Sequence, residues 1–160
     1  MTEPPTANIL FVCTGNTCRS PFAQAIFTKL ARKRGLNCLS ADSAGLTALP
    51  GDPATLLAQQ VAAEHGADLA AHTAKPVSKE LISGSDLIFV MEKSQEGAII
   101  KNFPDSKGRV RLLRHYGRFG STQRGIADPY GLQYEAYRFC FLDIEDAVTG
   151  LVDFLSTQVG

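Results

Sequence analysis

A short apolar stretch, Ile9 to Val12, runs directly into Cys13-Thr-Gly-Asn-Thr-Cys-Arg19-Ser20, and from there into a segment of helical spacing that opens at Pro21. A buried strand that passes through such a loop into a helix begins an α/β arrangement, and it sets the pattern for the rest of the chain. The loop has the composition of an anion cradle. Backbone N–H groups at a helix N-terminus converge on negative charge, Gly15 admits close approach, and Arg19 offers a planar fork that matches two phosphate oxygens. Cys13 stands at the bottom of this cradle, where the same donors would stabilise a thiolate.

Strands and helices alternate beyond the loop. Phe22, Ile26 and Leu30 share one face of the first helix, which ends in Lys29, Arg32, Lys33 and Arg34 before Gly35. A strand is expected from Cys38 to Ser43. Asp52 and Pro53 then read as the N-cap and first residue of a helix that carries Leu57 and Val61 and stops at Gly66. Leu87 to Met91 has the continuous apolar character of a buried parallel strand. Ala98 to Asn102 ends a helix before Pro104, and Val110 to Leu113 is a fourth strand. Tyr137, Phe141, Ile144, Val148 and Leu155 mark a long final helix, although Gly150 inside it costs about 1 kcal/mol relative to alanine. The expected fold is α/β: a single doubly wound domain with a four-stranded parallel sheet and helices on both faces. In such sheets ligands bind beyond the carboxyl ends of the strands, where Cys13 lies.

Composition narrows the function. A chain of 160 residues suits one domain over residues 1–160, with a polar, proline-rich start, residues 1–7, expected to be flexible. The balance of 16 basic and 16 acidic residues argues against nucleic acid or a membrane surface as partner. Four irregularly placed cysteines do not make a disulfide scaffold, and a reactive Cys13 needs a reducing compartment, so a cytoplasmic setting is expected. The loop lacks the Gly-Lys-Ser/Thr end of a Walker nucleotide loop. No metal is expected either, because no second Cys or His pair sits at ligand spacing. The plain alternative, a buried packing cysteine at a strand end, leaves Gly15, Asn16, Arg19 and Ser20 unexplained together.

A cysteine nucleophile acting on a phosphorylated group also needs a proton donor for the leaving group. Asp128, in Asp128-Pro129-Tyr130, is the candidate. Pro129 stiffens the loop and Tyr130 offers an aromatic wall. Asp-Pro pairs are commonly turn initiators, and Asp52-Pro53 is read that way as a helix start. Asp128 is preferred because it lies in a polar loop, Gly117 to Gly131, that follows the fourth strand.

The combination of Val12-Cys-Thr-Gly-Asn-Thr-Cys-Arg-Ser-Pro21, Ser43-Ala44-Gly45 and Asp128-Pro129-Tyr130 resembles the low-molecular-weight protein tyrosine phosphatases over nearly the whole chain. The resemblance implies a phosphate-binding loop of Thr14, Gly15, Asn16, Thr17, Cys18, Arg19 and Ser20. It assigns the nucleophile to Cys13, the phosphoryl-binding cation to Arg19, and the acid and then base to Asp128. It also implies a supporting hydrogen-bond network on Asn16, Ser20, Ser43 and His72, a histidine that would otherwise read as an ordinary loop residue. Ser20 is expected to donate to the Cys13 sulfur. Neither a metal nor an organic cofactor is called for. The expected partners are phosphorylated proteins or peptides, with inorganic phosphate as product. Cys18 is either a packing residue or a resolving thiol for an oxidised Cys13. Cys38 and Cys140 read as structural, His65 as a residue near a helix C-terminus, and His115 as a loop residue.

The substrate wall is expected from Thr17, Leu49 and Tyr130. Phosphotyrosine-directed members of the family carry a bulky aliphatic residue at the Thr17 position and aromatics in the loop after Ser43-Ala-Gly and after Asp-Pro-Tyr. Here those places hold Thr17, Leu46-Thr-Ala-Leu49 and Gly131, which resemble the bacterial protein-arginine phosphatases of the same family. Both phosphoarginine and phosphotyrosine stay open. Two other readings are an arsenate reductase of the same fold, which lacks its downstream cysteine pair here, and a non-catalytic phosphate-binding or phosphocarrier module.

Overall fold

The computed structural model describes residues 7–118 and 125–159. Of the start expected to be flexible, residues 1–6 lie outside the described residues. Ala7 departs from that expectation: it opens the first strand, its N–H bonded to Cys38 O at 2.9 Å. The strands are β1 (Ala7–Cys13), β2 (Leu39–Gly45), β3 (Leu87–Val90) and β4 (Val110–Leu112), and the sheet is parallel throughout with order β2-β1-β3-β4. The helices are α1 (Arg19–Lys33), α2 (Leu56–Glu64), α3 (Lys79–Ser83), α4 (Lys93–Asn102) and α5 (Tyr134–Val159), with 3-10 segments at Pro104–Arg109 and Leu113–Tyr116.

Side chains of a strand alternate between faces, so β1 feeds two cores. Ile9, Phe11 and Cys13 join residues of α1, α2 and α5, with Phe22 meeting Phe141 edge-on at 5.1 Å between ring centroids. Leu10 and Val12 pack on the other face with Ile82 of α3, Ile99 of α4 and Leu112. Full burial of each large side chain removes about 1.5–3 kcal/mol worth of apolar surface from water. Both faces of β1 are therefore clamped, and its carboxyl end, Cys13, is held at a fixed place at the top of the sheet.

Beyond strand ends that shift by one or two residues, with Leu113 passing to a 3-10 segment, four details differ from the expectation. The first helix begins at Arg19, two residues before Pro21, because the loop's last residues already turn helical. The N-cap of α2 is Thr55, whose Oγ1 accepts from Ala58 N at 3.2 Å; Asp52 and Pro53 precede the helix, and Pro53 instead pairs with Thr73 in an antiparallel bridge. The five-residue α3 is too short for a periodic signal. Gly150 has a steric cause, since a Cβ there would lie 1.8 Å from Tyr116 O, where the second 3-10 segment crosses α5.

Candidate active site

The loop between β1 and α1 is held from outside by its carbonyls. Cys13 O accepts from Leu46 N at 3.0 Å, Thr14 O from Thr47 N at 2.9 Å, and Thr17 O from Thr55 N at 3.1 Å. Asn16 O lies 2.7 Å from His72 Nε2, and because a carbonyl only accepts, that nitrogen carries the proton. With the carbonyls tied outward, Asn16 N–H points inward and donates to Cys13 Sγ at 3.2 Å. Asn16 sits at φ 58°, a left-handed conformation that asparagine tolerates better than most side chains. Helix α1 begins with no side-chain cap and no acidic residue in its first turn, which leaves its N-terminal N–H groups and positive dipole end available to an anion. Gly45 of β2 completes the packing, since a Cβ there would lie 2.7 Å from Thr14 O.

Beneath the loop runs a directed chain of hydrogen bonds. Asn16 Oδ1 accepts from Lys75 N at 3.0 Å, which fixes the amide so that Nδ2 faces two serines. Nδ2 donates to Ser20 Oγ at 2.8 Å and to Ser43 Oγ at 3.0 Å, and Ser43 in turn donates to Gln24 Oε1 at 2.6 Å. Ser20 Oγ, having accepted from Asn16, stands 2.9 Å from Cys13 Sγ and 3.5 Å from Ala44 O, the two acceptors within reach of its proton. Asn16, Ser20 and Ser43 are buried and His72 partly so, and hydrogen bonds bring the four residues together.

Arg19 is 2 % exposed and held on both terminal nitrogens. Nη1 donates to Glu92 Oε1 and to Ile126 O, both at 2.8 Å, and Nη2 donates to Thr14 Oγ1 at 3.4 Å and lies 3.5 Å from Asp128 Oδ2. Gln95 closes a circuit: its Nε2 donates to Thr14 Oγ1 at 3.2 Å, its Oε1 accepts from Met91 N and Glu92 N, and it forms a capping box with Glu92 at the start of α4. Asp128 itself is 43 % exposed, and its Oδ1 accepts from Tyr130 N at 3.1 Å. Of the Gly117 to Gly131 loop, residues 119–124 lie outside the described residues.

These groups surround a cavity of about 220 Å³. Cys13, Thr14, Gly15, Thr17, Cys18 and Arg19 form its floor and near side; Thr47, Leu49, Asp52, Asp128 and Tyr130 form the rim. Leu49 and Tyr130 stand largely exposed, at 67 % and 66 %. All three expected wall residues, Thr17, Leu49 and Tyr130, line this one cavity. Burial pushes the Cys18 thiol up from its ordinary range, against the smaller pull of its hydrogen bonds with Thr55, Thr17 and Tyr137. Cys140 is pushed well up by burial, partly offset by Arg19.

Glu92, Gln95, Gln24, Thr55 and Asp52 were not singled out as site residues by sequence. Glu92 and Gln95 lie more than seventy positions from the loop and read as ordinary polar residues opening a helix. Only the carboxyl-end rule for parallel sheets, applied to the turn after β3, points to them.

A thiol in an anion cradle, flanked by a buried guanidinium and a carboxyl group, at the carboxyl end of a parallel sheet, defines a cysteine-dependent phosphatase. The model of the family described as low molecular weight phosphotyrosine protein phosphatase matches residues 8–159, and the chain belongs to that family. It is 35 % identical over 150 residues to a protein-arginine-phosphatase of Geobacillus stearothermophilus, covering 94 % of this chain and 97 % of the relative. It is 40 % identical over 129 residues to the probable low molecular weight protein-tyrosine-phosphatase EpsP of Ralstonia nicotianae, covering 81 % and 82 %. Among solved structures, the YwlE arginine phosphatase mutant with a phosphorylated active-site serine superposes with a TM-score of 0.87 at 33 % identity, over 93 % of this chain and 95 % of that one. The chain is a cysteine-dependent protein phosphatase acting on phosphoproteins. Among the described residues no helix is long and apolar enough to cross a membrane.

Proposed function

We propose that the protein removes phosphoryl groups from protein arginine residues through a cysteinyl-phosphate intermediate formed on Cys13. The observation that carries the mechanism is the surroundings of one sulfur: Cys13 Sγ has Ser20 Oγ at 2.9 Å and Asn16 N at 3.2 Å, in a cavity shared with Arg19 and Asp128. In the first step the Cys13 thiolate attacks phosphorus in line. The P–N bond of phosphoarginine, or the P–O bond of a phosphoester, breaks as Asp128 protonates the departing atom. Arg19 and the loop N–H groups from Thr14 to Ser20 hold the equatorial oxygens. In the second step Asp128, now ionised, takes a proton from water; the water oxygen bonds to phosphorus, the S–P bond breaks, and inorganic phosphate leaves. Ser20, donating to sulfur, makes the thiolate a better leaving group. Asn16, Ser43 and His72 hold the loop in place. The reaction draws on no metal and no organic cofactor, nucleic acid and membrane play no part, and a reducing, cytoplasmic setting keeps Cys13 active.

Arginine is preferred over tyrosine on three residues. Thr17 offers a hydroxyl that can orient a planar guanidinium, where an aliphatic side chain offers none. Leu49 on the rim and Gly131 after Tyr130 leave out the aromatics that would sandwich a phenyl ring. The relative from Geobacillus carries arginine phosphatase in its name. Hydrolysis rates on matched phosphoarginine and phosphotyrosine peptides test the reading. The wild type is expected to favour phosphoarginine, Thr17→Ile to shift the ratio toward phosphotyrosine, and Cys13→Ser to lose turnover on both. A wild type that ignores phosphoarginine refutes the arginine assignment.

A further inference from the structure

Asp52 occupies an unusual position on the rim of the catalytic cavity. Its sequence context, an Asp-Pro pair before a helix, reads as an N-cap, but Thr55 performs that task and leaves the Asp52 carboxylate without it. Among the described residues no hydrogen bond or ion pair reaches that carboxylate, although the residue is only partly exposed and lines the cavity. Its backbone is fixed. Asp52 N donates to Leu49 O at 3.2 Å, Asp52 O accepts from Ala74 N at 2.7 Å, and Gly51 N donates to Ala74 O at 2.9 Å, with Gly51 at φ 88° supplying the turn. Three residues on, Thr55 N donates to Thr17 O at 3.1 Å, which fastens this turn to the part of the loop that carries Thr17.

The charges of the cavity make the position meaningful. Arg19 is the cation among its lining residues, and it already pairs with Glu92 at 2.8 Å and meets Asp128 at 3.5 Å. An additional unpaired carboxylate on the rim repels a phosphate dianion, so retaining it there is costly for a substrate whose side chain is neutral. It becomes favourable when the phosphorylated side chain itself brings a positive charge into the mouth. We propose that the Asp52 carboxylate binds the guanidinium of the substrate arginine, opposite the phosphoryl group, and is a specificity residue for cationic phosphorylated side chains. This rests on the arginine reading above and adds to it a contact that no other rim residue supplies, since Leu49 and Tyr130 offer no charge and Asp128 is taken by the leaving group. A rigid turn presents the carboxylate, so little ordering cost attends the pairing.

Steady-state kinetics of wild type, Asp52→Asn and Asp52→Glu on a phosphoarginine peptide, a phosphotyrosine peptide of the same flanks, and p-nitrophenyl phosphate test the proposal. Asp52→Asn keeps size and removes charge. Its kcat/KM for phosphoarginine is expected to fall about tenfold, the scale of one charge-assisted hydrogen bond, mostly through KM. The p-nitrophenyl phosphate value should hold or rise. Asp52→Glu should recover part of the phosphoarginine loss, and the wild-type preference should weaken as salt is added. Equal loss on all three substrates in Asp52→Asn makes the residue merely structural and overturns the proposal. So does an unchanged phosphoarginine value. A wild type active on phosphotyrosine and inactive on phosphoarginine overturns the arginine reading itself, and this inference with it.

Discussion

Asn16 joins the backbone and side-chain halves of the site. Its φ of 58° turns its N–H toward the Cys13 sulfur, while its amide bonds Lys75 N, Ser20 and Ser43 in an order that leaves the Ser20 proton for that sulfur or for Ala44 O. Asn16→Ala deletes three side-chain bonds at about 1 kcal/mol each and places alanine in a left-handed conformation that costs about 1 kcal/mol more. The expected loss of stability is about 3–4 kcal/mol, read from urea unfolding. Turnover should fall further than stability predicts, by about a hundredfold, because a loop that shifts by an ångström misplaces the nucleophile. A variant that melts earlier yet keeps wild-type kcat below its transition would show that Asn16 holds the fold and has no part in aiming the sulfur. The residue types of the loop were legible because each has an uncommon chemical reason to be there. Asp52 was misread for the opposite reason: before a helix, an aspartate is common, and whether Thr55 or Asp52 caps depends on a backbone angle that no local pattern encodes.

The same contrast holds for whole elements. The strands and the long helices α1 and α5 were legible from apolar runs and helical spacing, since burial on one or both faces writes itself into periodicity. The site's second half was hidden, because Glu92 and Gln95 reach the loop only through the pairing of β1 with β3, which brings Val12 beside Val90. That contact has no trace in local sequence. Gly150 shows how an element-level rule reverses in context. Helix propensity alone says that Gly150→Ala in α5 gains about 1 kcal/mol. The crossing carbonyl of Tyr116, 1.8 Å from where the methyl would go, says the substitution destabilises, and overpacking of this kind costs about 1–3 kcal/mol. Thermal melting of Gly150→Ala should therefore move down. Gly97 of α4 has open space where its Cβ would be, so Gly97→Ala should move up, and the pair separates packing from propensity within one molecule.

At the scale of the whole molecule, the site and the core share their cysteines. Cys18 lines the cavity and also belongs to the core that Phe22 and Phe141 build, and Cys140 of α5 is buried in that same core. Burial pushes the pKa of both thiols above the ordinary cysteine range, Cys140 most strongly, since a thiolate loses its hydration there. In the unfolded chain the same thiols ionise at about 8.5. Below that value both states hold the protons and folding is unaffected by them. As pH climbs through it, the unfolded chain gives up protons that the folded chain retains, and stability falls until the folded values are themselves passed. Urea midpoints measured from pH 7 to 10 in reductant should decline over the upper part of that interval. Cys140→Ala should be less stable at neutral pH, because it leaves a small void, yet should show a shallower alkaline decline than the wild type. Parallel pH curves for the two proteins would mean that Cys140 plays no part in the loss and that other ionising groups cause it.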